Sequence, residues 1–175
     1  WHCYNGDVAA QGPVHDAHPD KDAYFTECSG GEWAPKFSDT FDWTVKNLII
    51  GSTRNWAKGV LMWNLALDED FGPHKGGCGD CRGIVTINST TGAVTKNIEY
   101  YAFGHASKFV KAGAVRVASN EAGGISNVAF KNPDGSLVLI ALNGNPEAKA
   151  FSVASGGKAF GYTLPAGAVA TFVWK

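Results

Sequence analysis

The chain has 175 residues, of which 45% are hydrophobic and 18% are charged, and its formal net charge at pH 7 is −1. A globular chain of this length buries roughly 70% of its unfolded surface, which is enough for one good core or two small ones. The near-zero charge argues against a nucleic-acid binder, which needs a basic face, and no apolar run approaches the roughly 18 residues of a membrane helix.

The first segments of the chain are polar and rich in histidine. His2 and Tyr4 stand two positions apart in WHCY, which resembles the end of a strand, so they share one face of it. The segment HDAHPDKD at 15–22 holds two histidines and three aspartates, a composition that can form a metal site. Nothing in the spacing defines a coordination geometry, so a solvated loop between a helix and a strand is favoured.

Two short apolar runs then predict buried strands, AYFTE at 23–27 and GVLMWN at 59–64. Each run ends in polar chemistry. Glu27 is followed by glycines that keep the carboxylate accessible, although a solvated loop glutamate fits the position as well. Trp63 and Asn64 offer a flat apolar face and an amide suited to a sugar ring, or else a core tryptophan and a strand cap.

A helix is predicted between these strands, and another follows them. Apolar positions recur at helical spacing behind Ser38-Asp39, a candidate N-cap; they are Phe41, Val45, Leu48, Ile49, Ser52 and Trp56. After a loop and a short strand, IVTI, the positions Ile98, Tyr101, Ala102, His105 and Phe109 predict the second amphipathic helix. His105 and Ser107 fall inside this helix, where a buried, hydrogen-bonded histidine is favoured over a catalytic one.

The long loop that follows the second predicted strand contains FGPHKGGCGDCRG. Cys78 and Cys81 have the spacing of a redox motif or half a zinc site, but two further zinc ligands and a following helix start are not evident. A short-loop disulfide of a secreted protein is favoured, with free thiols as the alternative. Asn88-Ser89-Thr90 is a glycosylation sequon, which has meaning only in a eukaryotic secretory host.

The chain changes character near residue 112. Strand–helix–strand–helix order before it predicts parallel βα units, which cannot stand alone because two or three strands leave open edges. After it, ISNVAF, SLVLIALN, KAFSVAS and AVATFVWK read as antiparallel strands, with NPDG as a hairpin turn between the first two. The predicted domains are therefore 1–111, α/β and incomplete, and 112–175, a β-sandwich.

The order and spacing of several segments resemble glycoside hydrolase family 30, which includes glucosylceramidase and the endo-β-1,6-glucanases. The segments are HCYNGD, YFTECSGGEW, GVLMWNLALDEDFGPHKGGC, GIVTIN, EYYAFGHASKFVKAGAVRV and FKNPDGSLVLIALN, and together they cover essentially the whole chain. The resemblance implies the last strands and helices of a (β/α)8 barrel followed by most of the side β-sandwich of that family.

The resemblance also implies roles for individual residues. Glu27 matches the catalytic nucleophile at the end of the seventh barrel strand, and Tyr4 matches the tyrosine that orients it. Trp63 matches the aromatic wall of the subsite that holds the reacting sugar. His2 and Asn64 are expected to line the cleft from matching strand ends, and His74 belongs to the loop after strand eight.

A retaining β-glycosidase is the enzyme implied, and this mechanism needs a second carboxyl group roughly 5 Å from the nucleophile. In the family that acid lies at the end of the fourth strand, so we expect it on an N-terminal half that this sequence lacks. The expected partners are that half and a β-glycan, with neither cofactor nor metal and no membrane span. The glycine-rich loop is more like that of the family's microbial members, which favours β-1,6-glucan as substrate, with glucosylceramide, β-1,6-galactan or non-catalytic glycan binding as alternatives. The favoured disulfide goes with the expectation of a secreted protein.

Overall fold

The computed structural model describes residues 1–175, and the chain divides into two units, residues 1–106 and 107–175. The domain boundary that the sequence predicts, between 111 and 112, stays a prediction. No helix in either unit is long and apolar enough to cross a membrane.

The first unit contains four α-helices and seven short strands. The helices are α1 (Gln11–Ala17), α2 (Phe37–Trp43), α3 (Ser52–Arg54) and α4 (Ile98–Ser107). The strands are β1 (Ala23–Phe25), β2 (Gly30–Gly31), β3 (Ala57–Val60), β4 (Ala66–Leu67), β5 (Cys81–Arg82), β6 (Val85–Ile87) and β7 (Val94–Lys96). A 3-10 turn, Val8–Ala10, precedes α1, and a π-helical segment, Thr44–Gly51, joins α2 to α3.

Three parallel segments form the framework of this unit. Strands β1 and β3 pair in parallel, and the ladder continues past them, because the Leu61 amide donates to the Phe25 carbonyl at 2.8 Å. On the other side of β1, the Thr26 amide donates to the Trp1 carbonyl at 2.8 Å. The carboxyl ends of all three segments therefore meet at one edge, as the predicted βα order requires.

The predicted helix between these strands is present over residues 37–54, but its start and end differ from the prediction. Helix α2 begins after Lys36 rather than after Ser38-Asp39, and no side chain caps it. The rings of Phe37 and Phe41 stack at 5.3 Å, an i,i+4 contact that extends the helix by a turn. Trp56 lies beyond the helix, half exposed, with φ of 75°.

The apolar positions of that helix do form the core. Val45, Leu48 and Ile49 are buried, as their spacing predicts. Leu48 packs with Phe25 and Cys28 of the parallel framework, and Val60 and Met62 pack against this cluster. The helix is thus held across the two strands that it connects, which makes β1, the helix and β3 one βαβ unit.

The second unit is built from six antiparallel strands. They are β8 (Val115–Val117), β9 (Ile125–Lys131), β10 (Leu137–Asn143), β11 (Lys149–Ser155), β12 (Lys158–Leu164) and β13 (Val169–Trp174). A four-stranded sheet has the order β13-β10-β9-β8, and β11 and β12 form a separate hairpin. Ile125, Ala141 and Leu164 form its buried cluster, against which Phe151 and Phe172 pack.

The predicted NPDG hairpin turn is present between β9 and β10. The Gly135 amide donates to the Asn132 carbonyl at 2.9 Å, and Gly135 adopts φ of 82°. The Lys111 ammonium hydrogen-bonds Asp134 at 2.7 Å and, with Ser136, holds the pKa of that carboxyl well below its usual range. Charge pairing and the glycine conformation together define this turn.

Candidate active site

Glu27 stands where the three parallel segments end, two residues after the last residue of β1. A parallel bridge pairs Glu27 with His2 on the neighbouring segment. One carboxylate oxygen of Glu27, Oε1, accepts a hydrogen bond from the Tyr4 hydroxyl, and the other, Oε2, lies 3.6 Å from Nδ1 of His2. The Glu27 side chain is 33% exposed, so the carboxylate is both held by neighbours and accessible.

The Tyr4 hydroxyl is a hydrogen-bond donor to this carboxylate. The hydrogen bond to Glu27 raises the pKa of Tyr4, and burial and the negative charge of Glu27 add to the effect. A tyrosine with a raised pKa keeps its proton at neutral pH and stays a donor. His2 packs edge-on against the Tyr4 ring at 5.5 Å, which helps to orient the hydroxyl.

A disulfide between Cys3 and Cys28 joins the two strand ends that carry these groups. Cys3 precedes Tyr4 and Cys28 follows Glu27, so the link holds the hydroxyl and the carboxylate next to each other. The pairing of these cysteines does not follow from the sequence, because their proximity arises from the parallel alignment of segments 25 residues apart. Cys78 and Cys81 form the second disulfide, the state that their spacing favoured.

A cavity of about 750 Å³ opens at this edge of the first unit. Glu27, Tyr4 and Trp63 are among the residues that line it. Trp63 is held there because its backbone amide donates to the Cys28 carbonyl at 2.8 Å, next to Glu27 along the chain. A carboxylate, a hydroxyl and an indole face around one cavity can bind and attack a sugar ring.

Three further side chains line the same cavity that the sequence analysis did not single out as site residues: Trp33, Trp43 and Asp39. Trp33 is 57% exposed, and Asp39 lies in the first turn of α2, where the Ser38 hydroxyl donates to it at 3.1 Å. The sequence predicts Asp39 as part of a helix N-cap, and that pattern gives no sign that its side chain lines the same cavity as Glu27. The only signal for Trp33 was its place in the loop after Glu27.

Three of the predicted site residues, His2, Asn64 and His74, do not line this cavity, although His2 lies 3.6 Å from Glu27. The Asn64 side chain accepts a hydrogen bond from the Ala66 amide at 3.1 Å, so it supports the local turn before β4. His74 is exposed in the loop that follows β4. Their predicted role in lining a substrate cleft stays a prediction.

Two further histidines that the sequence offers, His15 and His105, lie against aromatic rings. His105 lies in α4 with its ring 5.8 Å from that of Phe41, and burial lowers its pKa. His15 stacks on Trp56 at 3.9 Å, with the two rings 4° from parallel. No group of three or more His, Cys, Asp or Glu side chains is arranged to hold a metal ion.

Comparisons with known proteins relate the chain to one family. Residues 113–172 match the profile described as "Glycosyl hydrolase family 30 beta sandwich domain". The chain is 36% identical over 186 residues to endo-1,6-beta-D-glucanase BGN16.3 of Trichoderma harzianum, covering 99% of this chain and 36% of that protein. It is 28% identical over 179 residues to mouse lysosomal acid glucosylceramidase, covering 95% of this chain and 34% of that protein.

Solved structures give the same relation. The structure titled "The endo-beta1,6-glucanase BT3312" matches with a TM-score of 0.90 and 36% identity, over 99% of this chain and 40% of that one. This match and the sandwich profile confirm the predicted fold class, the later part of a (β/α)8 barrel followed by an antiparallel β-sandwich. The chain thus spans between about a third and two fifths of the length of these relatives.

Proposed function

We propose that this chain, which belongs to glycoside hydrolase family 30, is part of a retaining β-glycoside hydrolase. Its proposed substrate is β-1,6-glucan. The observation that carries the proposal is the Glu27 carboxylate, which lies at the end of a parallel strand, accepts a hydrogen bond from Tyr4 and lines the cavity that Trp63 also lines. Catalytic groups of such barrels lie at this edge of the sheet.

In the proposed reaction, a carboxylate oxygen of Glu27 attacks the anomeric carbon of the sugar. The bond from that carbon to the glycosidic oxygen breaks, and a second carboxylic acid protonates the departing oxygen. Water then attacks the same carbon of the covalent glycosyl-enzyme, the second group takes a proton from this water, and Glu27 is released as a carboxylate. The hydrogen bond from Tyr4 to Oε1 orients the carboxylate of Glu27 for this attack.

The other proposed site residues bind the substrate. Trp63 presents a flat apolar face to the reacting sugar, the kind of contact by which proteins hold pyranose rings. His2, Asn64 and His74 are assigned to the cleft around it, and among them His2 has the direct contact with Glu27.

We assign the second carboxylic acid to the part of the whole protein that this chain does not span. The chain covers 36% of the Trichoderma glucanase and 40% of the BT3312 structure, which leaves room for that group elsewhere. Asp39 is the other carboxyl group that lines the cavity, but its oxygen accepts from Ser38 in the helix start, and we assign it no catalytic role.

β-1,6-Glucan is the proposed substrate because the endo-1,6-glucanases match at 35–36% identity, whereas the mouse glucosylceramidase matches at 28%. Glucosylceramide is the alternative that the second relative supports. The two disulfides also support a secreted protein, because disulfides persist in oxidising compartments.

Covalent trapping tests the proposal in the whole protein. An activated 2-deoxy-2-fluoro-β-glucoside should add one fluoroglucosyl mass, and peptide mapping should find it on Glu27. The Glu27→Gln variant should take no label. Hydrolysis of β-1,6-glucan and of glucosylceramide, measured side by side, then identifies the substrate. Absence of any adduct in the unaltered protein would reject the retaining mechanism and favour a glycan-binding role.

A further inference from the structure

We propose that the buried ion pair between Arg82 and Glu99 is a positioning device for Glu27. It acts on the loop 28–31, which directly follows the proposed nucleophile. The inference rests on the proposed function, because it concerns how the chain holds the carboxylate that would attack the sugar.

Glu99 is a fully buried acidic residue. It lies in the first turn of α4, and its side chain has no exposed surface. A carboxylate without solvent is stable only when it is paired and hydrogen-bonded. Arg82 supplies that pairing in a forked arrangement, with Nη2 3.1 Å from Oε1 and Nε 3.4 Å from Oε2.

The ion pair packs directly against the loop after Glu27. At Gly30 there is no room for a side chain, because a Cβ atom there would overlap Oε1 of Glu99 and would lie 3.3 Å from Nη2 of Arg82. Gly30 is only three residues from Glu27. The two charged groups therefore form the surface on which this loop rests.

Backbone pairing connects the same partners. Strand β2 pairs with β5, so Gly30 stands opposite Arg82 and Gly31 opposite Cys81. The Ser29 hydroxyl also lies 3.5 Å from the Arg82 carbonyl. The side chain of Arg82 is 11% exposed, and its other contact is with Glu32 at 3.3 Å, a half-exposed residue.

Glu27 is thus held from two sides. The Cys3–Cys28 disulfide and Tyr4 hold it towards the first parallel segment, while the Arg82–Glu99 pair holds the following loop towards α4. The side-chain partners of Arg82 are Glu99 and Glu32, not Glu27. Arg82 and Glu99 therefore act on Glu27 through the backbone of residues 28–31. Displacing that backbone by a fraction of an ångström would misalign the attacking oxygen.

The test uses the whole protein and the rate of covalent labelling of Glu27 by the 2-fluoro-β-glucoside. For Glu99→Gln, we expect the maximal labelling rate to fall on the order of 100-fold, the cost of a small misplacement of a reacting group. The concentration giving half the maximal rate should stay close to that of the unaltered protein, since the sugar-binding faces are untouched. A merely structural role would not separate these two quantities.

Glu32→Gln is the matched control, because it removes the exposed partner of Arg82 and leaves the buried pair intact. Its labelling rate should change by less than about threefold, as expected for a solvent-exposed ion pair. Arg82→Lys keeps the positive charge but loses the fork, so it should show the same slow labelling and provides the measurement if Glu99→Gln does not fold.

If Glu99→Gln and Arg82→Lys are both labelled at the rate of the unaltered protein, the positioning role is wrong and the proposed function still stands. If the unaltered protein itself takes no label, the proposed function fails and the positioning role fails with it. The two failures are therefore distinguishable in one experiment.

Discussion

At the scale of single residues, the candidate site depends on contacts between groups that are far apart in the sequence. Tyr4 and Glu27 are separated by 23 positions and meet through one hydrogen bond. The resemblance to a family predicted both residues, but their contact is a result of strand alignment. Each of the three predictions at this scale changes the polar group of one side chain and leaves the backbone alone.

Tyr4→Phe should slow hydrolysis by the whole protein. A hydrogen bond to a charged group contributes about 1.5–3 kcal/mol, so kcat should fall roughly 10- to 100-fold. Tyr24→Phe is the control, since Tyr24 is another exposed tyrosine on the same framework that the structure does not bring to Glu27. Unchanged kcat in Tyr4→Phe would show that the Tyr4 hydroxyl does not assist Glu27.

Asp39→Asn tests whether the second catalytic acid lies within this chain. Our assignment expects little change in kcat, because Asp39 would make no interaction confined to the transition state, whereas Glu27→Gln should lose activity by several orders of magnitude. Both are measured on β-1,6-glucan with the whole protein. A loss in Asp39→Asn comparable to that in Glu27→Gln would place the acid at Asp39.

His105 should make the protein less stable in mild acid. Burial lowers its pKa, so the unfolded chain binds a proton at a higher pH than the folded chain does. Stability from this group is therefore complete above the unfolded pKa of about 6.5 and decreases as pH falls from there towards the folded value. Melting temperatures between pH 7.5 and 5 should fall more steeply for the unaltered protein than for His105→Gln; parallel curves would contradict this.

At the scale of elements, local patterns predicted the strands and helices that bury one face. The β9–β10 hairpin and its NPDG turn are present where the sequence places them. Strand β7 is not predicted because all three of its side chains are exposed. Strand β12 is not predicted either, although Phe160, Tyr162 and Leu164 alternate along it. The strand predicted at 59–64 is regular only at Ala57–Val60, and the two backbone hydrogen bonds beyond it extend the ladder irregularly.

Gly135→Ala tests the turn chemistry of the hairpin. An alanine there must adopt a left-handed conformation, which costs about 1–2 kcal/mol of folding free energy, because Gly135 has φ of 82°. Gly161→Ala is the control in the same unit, since Gly161 is an exposed strand residue without a positive φ. Urea or thermal unfolding should show a loss for Gly135→Ala and little change or a small gain for Gly161→Ala; equal effects would argue against the turn assignment.

At the scale of the whole molecule, the first unit is an open set of parallel strands. Segments 1–2, 23–28 and 57–63 lie side by side, and a closed (β/α)8 barrel would continue the sheet at both outer edges. Open edges and exposed apolar side chains promote association. Tyr4, Leu61 and Trp33 are among the large apolar side chains left exposed.

Residues 1–111 expressed alone should therefore aggregate. Size-exclusion chromatography should find them in large species, and a dye that binds exposed apolar surface should fluoresce strongly. The whole protein, measured in the same way, provides the reference. A monomeric fragment with cooperative unfolding would contradict the interpretation of this unit as part of a larger barrel.

Sequence periodicity alone determined which stretches bury an apolar face, where the hairpin turns, and that βα units precede antiparallel strands, because each of these features depends on neighbours within a few residues. Motif order determined the family and pointed to Glu27 and Tyr4. Only the tertiary structure decided that Cys3 pairs with Cys28, that Asp39 and Trp33 share the cavity of Glu27, and that Glu99 is buried beneath Gly30. These contacts join segments separated by up to about 70 positions. Pairing between distant segments, parallel at Glu27 and antiparallel between Gly30 and Arg82, brings them together, and no local pattern encodes it.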